Sequence, residues 1–312
     1  MKICAIDSSG LVAGVAVSEN GICVAEYDIQ YKVTHSQTLL PMLDEVCRRI
    51  SLDLRDVDAY AVAAGPGSFT GLRIGIASVK GLTLVNDKPV VAIPTLEALA
   101  YNAYGTDRLI CPIMDARREQ VYTGIYSFDR FSHNITGHVS EAADSISTDG
   151  AAGVTWDNCV GSSLRDRTSG MTEDNYAGSS ESVLRCILPQ TAMSFEELCS
   201  RLNEFGKPVL FIGDGIPVFA DSMSGLLKIE YENAPLHMNR QRAGSLAALA
   251  DYYMRTALEM IAETGLEGVI TDGLHLTPVY LRESQAERER KKSESDKDEG
   301  IIPSGAADGN GQ

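Results

Sequence analysis

Apolar and polar residues alternate over positions 2–7, and two further alternating runs, Val12 to Val17 and Ile22 to Tyr27, flank Asn20-Gly21. Asn-Gly between two such runs signals a two-residue hairpin, because both residues tolerate positive φ. The period then changes. After Thr34-His35-Ser36-Gln37 the apolar residues Leu39, Leu40, Leu43, Val46, Cys47 and Ile50 recur at helical spacing. Thr34 and Gln37 have the spacing of a capping box. Pro41 lacks an N–H, so it predicts a bend in this helix or a later start. Val57 to Ala64 is an apolar run of strand length that Gly65-Pro66-Gly67 stops. Ser68 or Thr70 then caps a helix to about Val85, Val90 to Ile93 is a short strand, and Thr95 opens a helix from Leu96 to Tyr104.

A second half begins in the same way, with strands from Arg108 to Asp115 and from Gln120 to Phe128. Periodicity then fails. Gly, Ser, Thr, Asp and Asn dominate, and the stretch reads as an irregular insertion over about 132–193. Order resumes with a helix from Ser194 to Phe205, a strand from Pro208 to Ile212 ending at Gly213-Asp214-Gly215, and a helix from Ala243 to Glu263. Leu246, Leu249, Ala250 and Tyr253 share one face of that last helix. The expected class is α/β, with one unit over 1–105, a second over 106–286 and a disordered tail over 287–312.

Composition narrows the function. The chain has 312 residues, 44% of them hydrophobic and only 6% aromatic, so a core must rest on Ala, Val, Ile and Leu. A formal net charge of −16 opposes tight nucleic-acid binding unless a basic partner or a local basic patch supplies it. No apolar run approaches the ~18 residues of a membrane span. The opening Met1 to Asp7 is not patterned as a signal peptide. Seven cysteines stand singly without a Cys-x-x-Cys pair, which predicts reduced thiols and a cytoplasmic setting.

Candidate chemistry is sparse. Gly65-x-Gly67-x-x-x-Gly71 follows a strand and opens a helix, but it is one residue too long for the dinucleotide fingerprint, and no Walker sequence occurs. Gly71 and Gly75 fall four apart inside a helix, where each costs ~1 kcal/mol relative to Ala. They predict a flat strip for close approach by another helix, from this chain or from a partner. Asp7-Ser8-Ser9 after the first strand is either a turn or the remnant of a phosphate segment. No two of the five histidines have the i,i+4 spacing of a helical metal site, and Ser68 is not in a Gly-x-Ser-x-Gly elbow. No catalytic residue and no metal ligand is assigned.

Several segments together resemble one family. They are Ile6-Asp7-Ser8-Ser9, His35-Ser36-Gln37-x-Leu39-Leu40-Pro41, the run from Gly65 to Gly75, Pro94 to Ala100, Met114 to Tyr122 and Pro278-Val279-Tyr280-Leu281-Arg282. In this order the chain resembles the TsaB (YeaZ) family, well over residues 1 to about 128 and loosely over about 205–286. The resemblance implies two RNase H-like, actin-like lobes of the ASKHA class. It implies a non-catalytic subunit that supports TsaD, with the ATPase TsaE, in transferring a threonylcarbamoyl group to the adenosine beside the anticodon of tRNA. ATP would be used by the complex, no cofactor would belong to this chain, and tRNA would be reached only through the complex.

The same resemblance places the TsaD interface on helices 35–50 and 68–84, a surface through which the family also self-associates. The implied contact residues are His35, Leu39, Leu40, Leu43, Val46, Cys47, Ser68, Thr70, Gly71, Leu72, Ile74, Gly75 and Val79. Asp7, Ser8 and Ser9 would be a degenerate phosphate segment lacking the usual glycine. An active enzyme, either an ASKHA-type phosphotransferase or a peptidase acting on its partner, stays open as the alternative.

Overall fold

The computed structural model describes residues 1–31, 34–130, 182–261 and 270–282; most of the expected insertion and the whole expected tail lie outside the described residues. The first sheet starts as an antiparallel meander of β1 (Lys2–Asp7), β2 (Ala13–Glu19) and β3 (Ile22–Ile29), with Asn20 and Gly21 both at positive φ in the expected hairpin. The chain then passes through α1 (His35–Arg49), β4 (Ala59–Gly65), α2 (Phe69–Asn86), β5 (Val90–Pro94) and α3 (Thr95–Tyr101). β4 pairs parallel to β1, and β5 parallel to β4. Every residue of β4 is buried, which explains its unbroken apolar run: a central parallel strand is covered on both faces.

The second sheet repeats the plan. β6 (Leu109–Asp115), β7 (Gln120–Arg130) and β8 (Ser182–Ser194) are antiparallel. Then come α4 (Phe195–Phe205), β9 (Val209–Ile212), α5 (Ile216–Leu226), β10 (Tyr231–Asn233) and α6 (Ala243–Ile261). β9 joins parallel to β6 and β10 parallel to β9. Both sheets run fifth, fourth, first, second, third strand, and β11 (Ile270–Thr271) adds an antiparallel edge to the first. This duplicated order, three antiparallel strands followed by two parallel crossovers, is the expected pair of RNase H-like lobes. A glycine at matching positive φ stands at the end of β4 and directly after β9, Gly65 at 121° and Gly213 at 123°.

The two faces of the first sheet carry different side chains. Cys4, Ile6, Val15 and Val62 meet Leu39 and Leu43 of α1 and Ile76 and Val79 of α2. On the other face Ala5, Ala16, Ala59 and Ala61 leave a shallow surface, on which Leu246, Ala247, Leu249 and Ala250 of α6 pack. Carboxylates of β3 hold the start of α6: the Ala243 amide donates to Asp28 Oδ1 at 3.3 Å and the Gly244 amide to Glu26 Oε1 at 2.9 Å. A negative charge there complements the helix dipole and takes amides without partners inside the helix. In exchange, Leu96, Leu99 and Ala100 of α3 pack on Ile110, Met114 and Ile212 of the second sheet. Each lobe's last helix thus covers the other lobe's sheet.

The structure departs from the sequence-based expectations in several places. Within the span expected for the second unit, the apolar face of α6 and strand β11 return to the first sheet. Residues 182–193 of the expected insertion are strand β8, and α5 was not anticipated. α1 continues through Pro41, which sits on its exposed side, and Thr34 makes no side-chain cap, although its carbonyl accepts from the Gln37 amide at 2.9 Å. Cys186 is disulfide-bonded, against the expectation of uniformly reduced thiols. No helix among the described residues is long and apolar enough to cross a membrane.

Candidate functional site

β1 delivers Asp7 to the turn that leads into β2, at the mouth between the lobes. The carboxylate is buried. Its Oδ1 accepts from the Ser9 amide at 2.8 Å and the Ser9 hydroxyl at 2.6 Å, while Oδ2 has no partner among the described residues. Burial pushes the carboxyl above its ordinary range, against a smaller opposing pull from Ser9 and the His35 ring. Ser8 Oγ donates to Gly71 O at 2.8 Å, the Ser68 amide donates to Ser9 O at 2.7 Å, and His35 Nε2 lies 3.0 Å from Gly10 O. The turn is therefore tied by three contacts to the N-terminal ends of α1 and α2.

The helix glycines explain how α2 comes so close. A Cβ on Gly71 would fall 2.1 Å from Ser8 O, and one on Gly75 would fall 2.5 Å from Ser8 Oγ. Hence the small-residue strip faces the β1–β2 turn of its own lobe, not another helix. Spacing identified the strip but not what lies against it. From the other side Gln241 closes the turn. This buried side chain abuts Gly10, where a Cβ would lie 2.7 Å from its carboxamide, and its Nε2 contacts Met114 Sδ of the second lobe at 3.5 Å. Nothing in the sequence pattern singled out Gln241, because its role depends on the return of residues 239–243 to the first lobe.

The equivalent turn of the second lobe follows β6. Asp115 Oδ1 accepts from the Arg117 amide at 2.7 Å, and the Asp115 amide donates to Asp214 Oδ1 at 3.3 Å. Burial raises the Asp214 carboxyl, with Arg240 pulling it down and Asp115 pushing it up. The Gly213 amide donates to Asn239 Oδ1 at 2.6 Å. Among the described residues no group of three or more His, Cys, Asp or Glu side chains could hold a metal.

The thirteen residues expected at a partner interface divide sharply. Leu39, Leu43, Val46, Gly71, Leu72, Gly75 and Val79 are buried within the first lobe. Leu40, Ser68 and Thr70 are exposed, and His35, Cys47 and Ile74 are half-buried. Three of the thirteen, Leu40, Leu43 and Cys47, also border an open groove. Leu52, Leu54 and Leu82, with the polar Asp44, Ser51 and Asp53, complete the lining of this groove, which has a volume of about 600 Å³ and lies between α1 and α2. Further along α2, Leu84 and Val85 are 75% and 82% exposed. Leu84 and Val85 escaped sequence reasoning because they end a helix that is apolar almost all round.

A family model described as "TsaD: tRNA N6-adenosine threonylcarbamoyltransferase" matches residues 30–289. The chain is 41% identical over 128 residues to "tRNA threonylcarbamoyladenosine biosynthesis protein TsaB" of Bacillus subtilis (strain 168), a match covering 41% of this chain and 56% of that protein. It is 36% identical over 132 residues to the protein of the same name from Escherichia coli (strain K12), with the same two coverages, 41% and 56%. The chain thus spans about half the length of the curated relatives it matches. Among solved structures, "YeaZ from Pseudomonas aeruginosa" superposes with a TM-score of 0.59 at 21% identity, covering 90% of this chain and 99% of that one, a likeness of fold.

Proposed function

The chain belongs to the TsaD family of tRNA N6-adenosine threonylcarbamoyltransferases, on its TsaB/YeaZ side, and from this we propose that it is a partner subunit in the biosynthesis of threonylcarbamoyladenosine in tRNA. In this reading it binds and supports the TsaD-type catalytic subunit and does not itself carry out the transfer. The observation that carries the proposal is the open groove between α1 and α2, walled by five leucines and Cys47. Leu40 is uncovered on its wall, and Leu84 and Val85 are uncovered further along α2. Large open aliphatic side chains along two adjacent helices fit a helix laid alongside them. The closed β1–β2 turn adds support. Where an ASKHA enzyme would need room between its two turns, Gln241 fills the space from Gly10 to Met114.

Reconstitution tests the reading. The transferase activity of the TsaD-type subunit is measured with and without this chain, and association by co-elution. Activity should require the chain. Leu40→Asp should weaken association on the order of tenfold or more, as for a charge placed in a desolvated contact, while leaving the chain folded because Leu40 is exposed. Full activity in the absence of the chain would end the proposal.

A further inference from the structure

Most arginines of the folded lobes are matched by acids: Arg48, Arg49, Arg55, Arg108, Arg201 and Arg242 each face a carboxylate. Arg73, Arg117, Arg118 and Arg282 form no salt bridge among the described residues, as Arg185 and Arg240 do not, and these four gather at the mouth between the lobes. The segment 270–282 draws them together. Its Leu276 enters the first core, the Val279 amide donates to Ala64 O at 2.7 Å, and Arg282 Nη1 donates to the carbonyls of Ala116 and Arg117. Tyr280 stacks on Phe69 with ring centroids 4.4 Å apart. The Arg73 guanidinium lies 4.0 Å over the Phe69 ring, and its Nε donates to the Tyr280 hydroxyl at 3.0 Å.

Arg117, Arg118 and Glu119 take three successive left-handed conformations, at φ 63°, 55° and 60°, and all three are exposed. Side chains other than glycine adopt that region at a cost, and here it presents two guanidiniums to solvent. The carboxylates nearby are Asp115, which accepts the Arg117 amide, Glu119, and the largely buried Asp214. In a chain of net charge −16, this local excess of unpaired guanidiniums repels itself, and folding alone does not account for it.

We propose that this mouth is a binding site for single-stranded RNA, in which Arg117, Arg118 and Arg282 take phosphates and the Phe69–Tyr280 stack with Arg73 offers a face to a base. Guanidinium forks match phosphate geometry, and aromatic faces interleaved with arginine are the usual platform for unpaired bases. An acidic protein surface would use the charges but not the exposed ring. The inference rests on the partner reading for what brings RNA within reach, while its geometry is independent.

The test uses the full chain in complex with its TsaD-type partner and a labelled tRNA anticodon stem–loop, titrated at several salt concentrations. Arg117→Gln with Arg118→Gln should weaken binding about tenfold and lower the slope of log affinity against log salt by about 1.4, two contacts at ~0.7 each. Tyr280→Leu should weaken binding several-fold with the slope unchanged. Arg55→Gln with Arg201→Gln removes the same charge from paired sites and should change neither quantity. Unchanged affinity and slope in the Arg117/Arg118 variant would overturn the site, and so would an equal loss in the control, which would mean net charge alone. Loss of partner association with RNA affinity intact in the assembled complex would assign the patch to an acidic protein and also overturn it. If no complex forms, the partner reading has failed separately, and crosslinking of the stem–loop to the full chain at low salt decides this one: crosslinks at Phe69 or Tyr280 uphold it, their absence ends it.

Discussion

Three glycines in α2 offer a graded test of how the β1–β2 turn sits on that helix. Gly81 is exposed, and a Cβ there would meet nothing within 4 Å; Gly81→Ala should therefore stabilise by up to about 1 kcal/mol through helix propensity. At Gly75 the nearest atom is the Ser8 hydroxyl at 2.5 Å, followed by Val62 at 3.7 Å. The hydroxyl can rotate away, but it then gives up its 2.8 Å bond to Gly71 O. That costs about 1 kcal/mol, which the propensity gain nearly offsets. At Gly71 the obstacle is a main-chain oxygen, Ser8 O at 2.1 Å. A carbonyl fixed in the turn cannot rotate away, so turn and helix must part. Overpacking of this kind costs about 1–3 kcal/mol, and the Ser8 bond is lost with it. Net of propensity, Gly71→Ala should destabilise by about 1–3 kcal/mol. Urea unfolding of the three variants would order them Gly81, Gly75, Gly71 from most to least stable. If Gly71→Ala proved as stable as Gly81→Ala but bound its partner less well, the strip would be an interface after all and the contact with Ser8 would be refuted.

Two more predictions concern the joint and the cap. Glu97, in α3, accepts from the Tyr253 hydroxyl of α6, and burial pushes its carboxyl up to about 7. A carboxyl raised on folding binds its proton more tightly in the native state, so stability should fall as pH rises from about 4.5 through about 7. The fall is at most about 3 kcal/mol, and less because the group is only part-buried; Glu97→Gln should flatten that part of the pH–stability curve, and an unchanged curve would refute the assignment. Ser68 Oγ accepts from the Gly71 amide at 3.2 Å as the cap of α2. Ser68→Ala should cost about 1 kcal/mol in thermal unfolding and Ser68→Asp very little.

The first lobe was legible because its signals are local. Asn20-Gly21 sets a hairpin, the apolar run to Ala64 sets a doubly covered strand, and Ser68 sets a helix start. The second lobe begins equally clearly but hides β8, whose strand Ser182–Ser194 contains Pro189 and follows a long polar stretch. What the sequence could not yield was partnership between distant segments. Helical period gave α6 one apolar face, yet only the shallow alanine surface of Ala5, Ala16 and Ala61 decides that this face returns to the first sheet. The same limit governed the candidate site. Leu39, Leu43, Leu72 and Val79 have the period of a surface stripe and of a core stripe alike, and the sheet beneath them makes them core. The basic mouth needs residues 73, 117, 118 and 282 side by side, which no local pattern can foretell.

The exchange of last helices bears on what kind of molecule this is. Two lobes joined by a linker could rock about the mouth between them, as a cleft enzyme must in order to close on a substrate. Here α3 belongs to the second core and α6 to the first, and the two helices meet at Glu97 and Tyr253. Opening the mouth would draw Leu96 and Leu99 from one sheet or Leu246 and Leu249 from the other, and each fully buried leucine withdrawn costs roughly 1.5–3 kcal/mol. Gln241 already links the first turn at Gly10 to Met114 of β6, and Arg282 fastens the second turn to the segment whose Val279 bonds Ala64. These connections among the described residues therefore oppose rocking. The groove beside α1 and α2 and the arginine rim at the mouth are thus held in a fixed relation to each other.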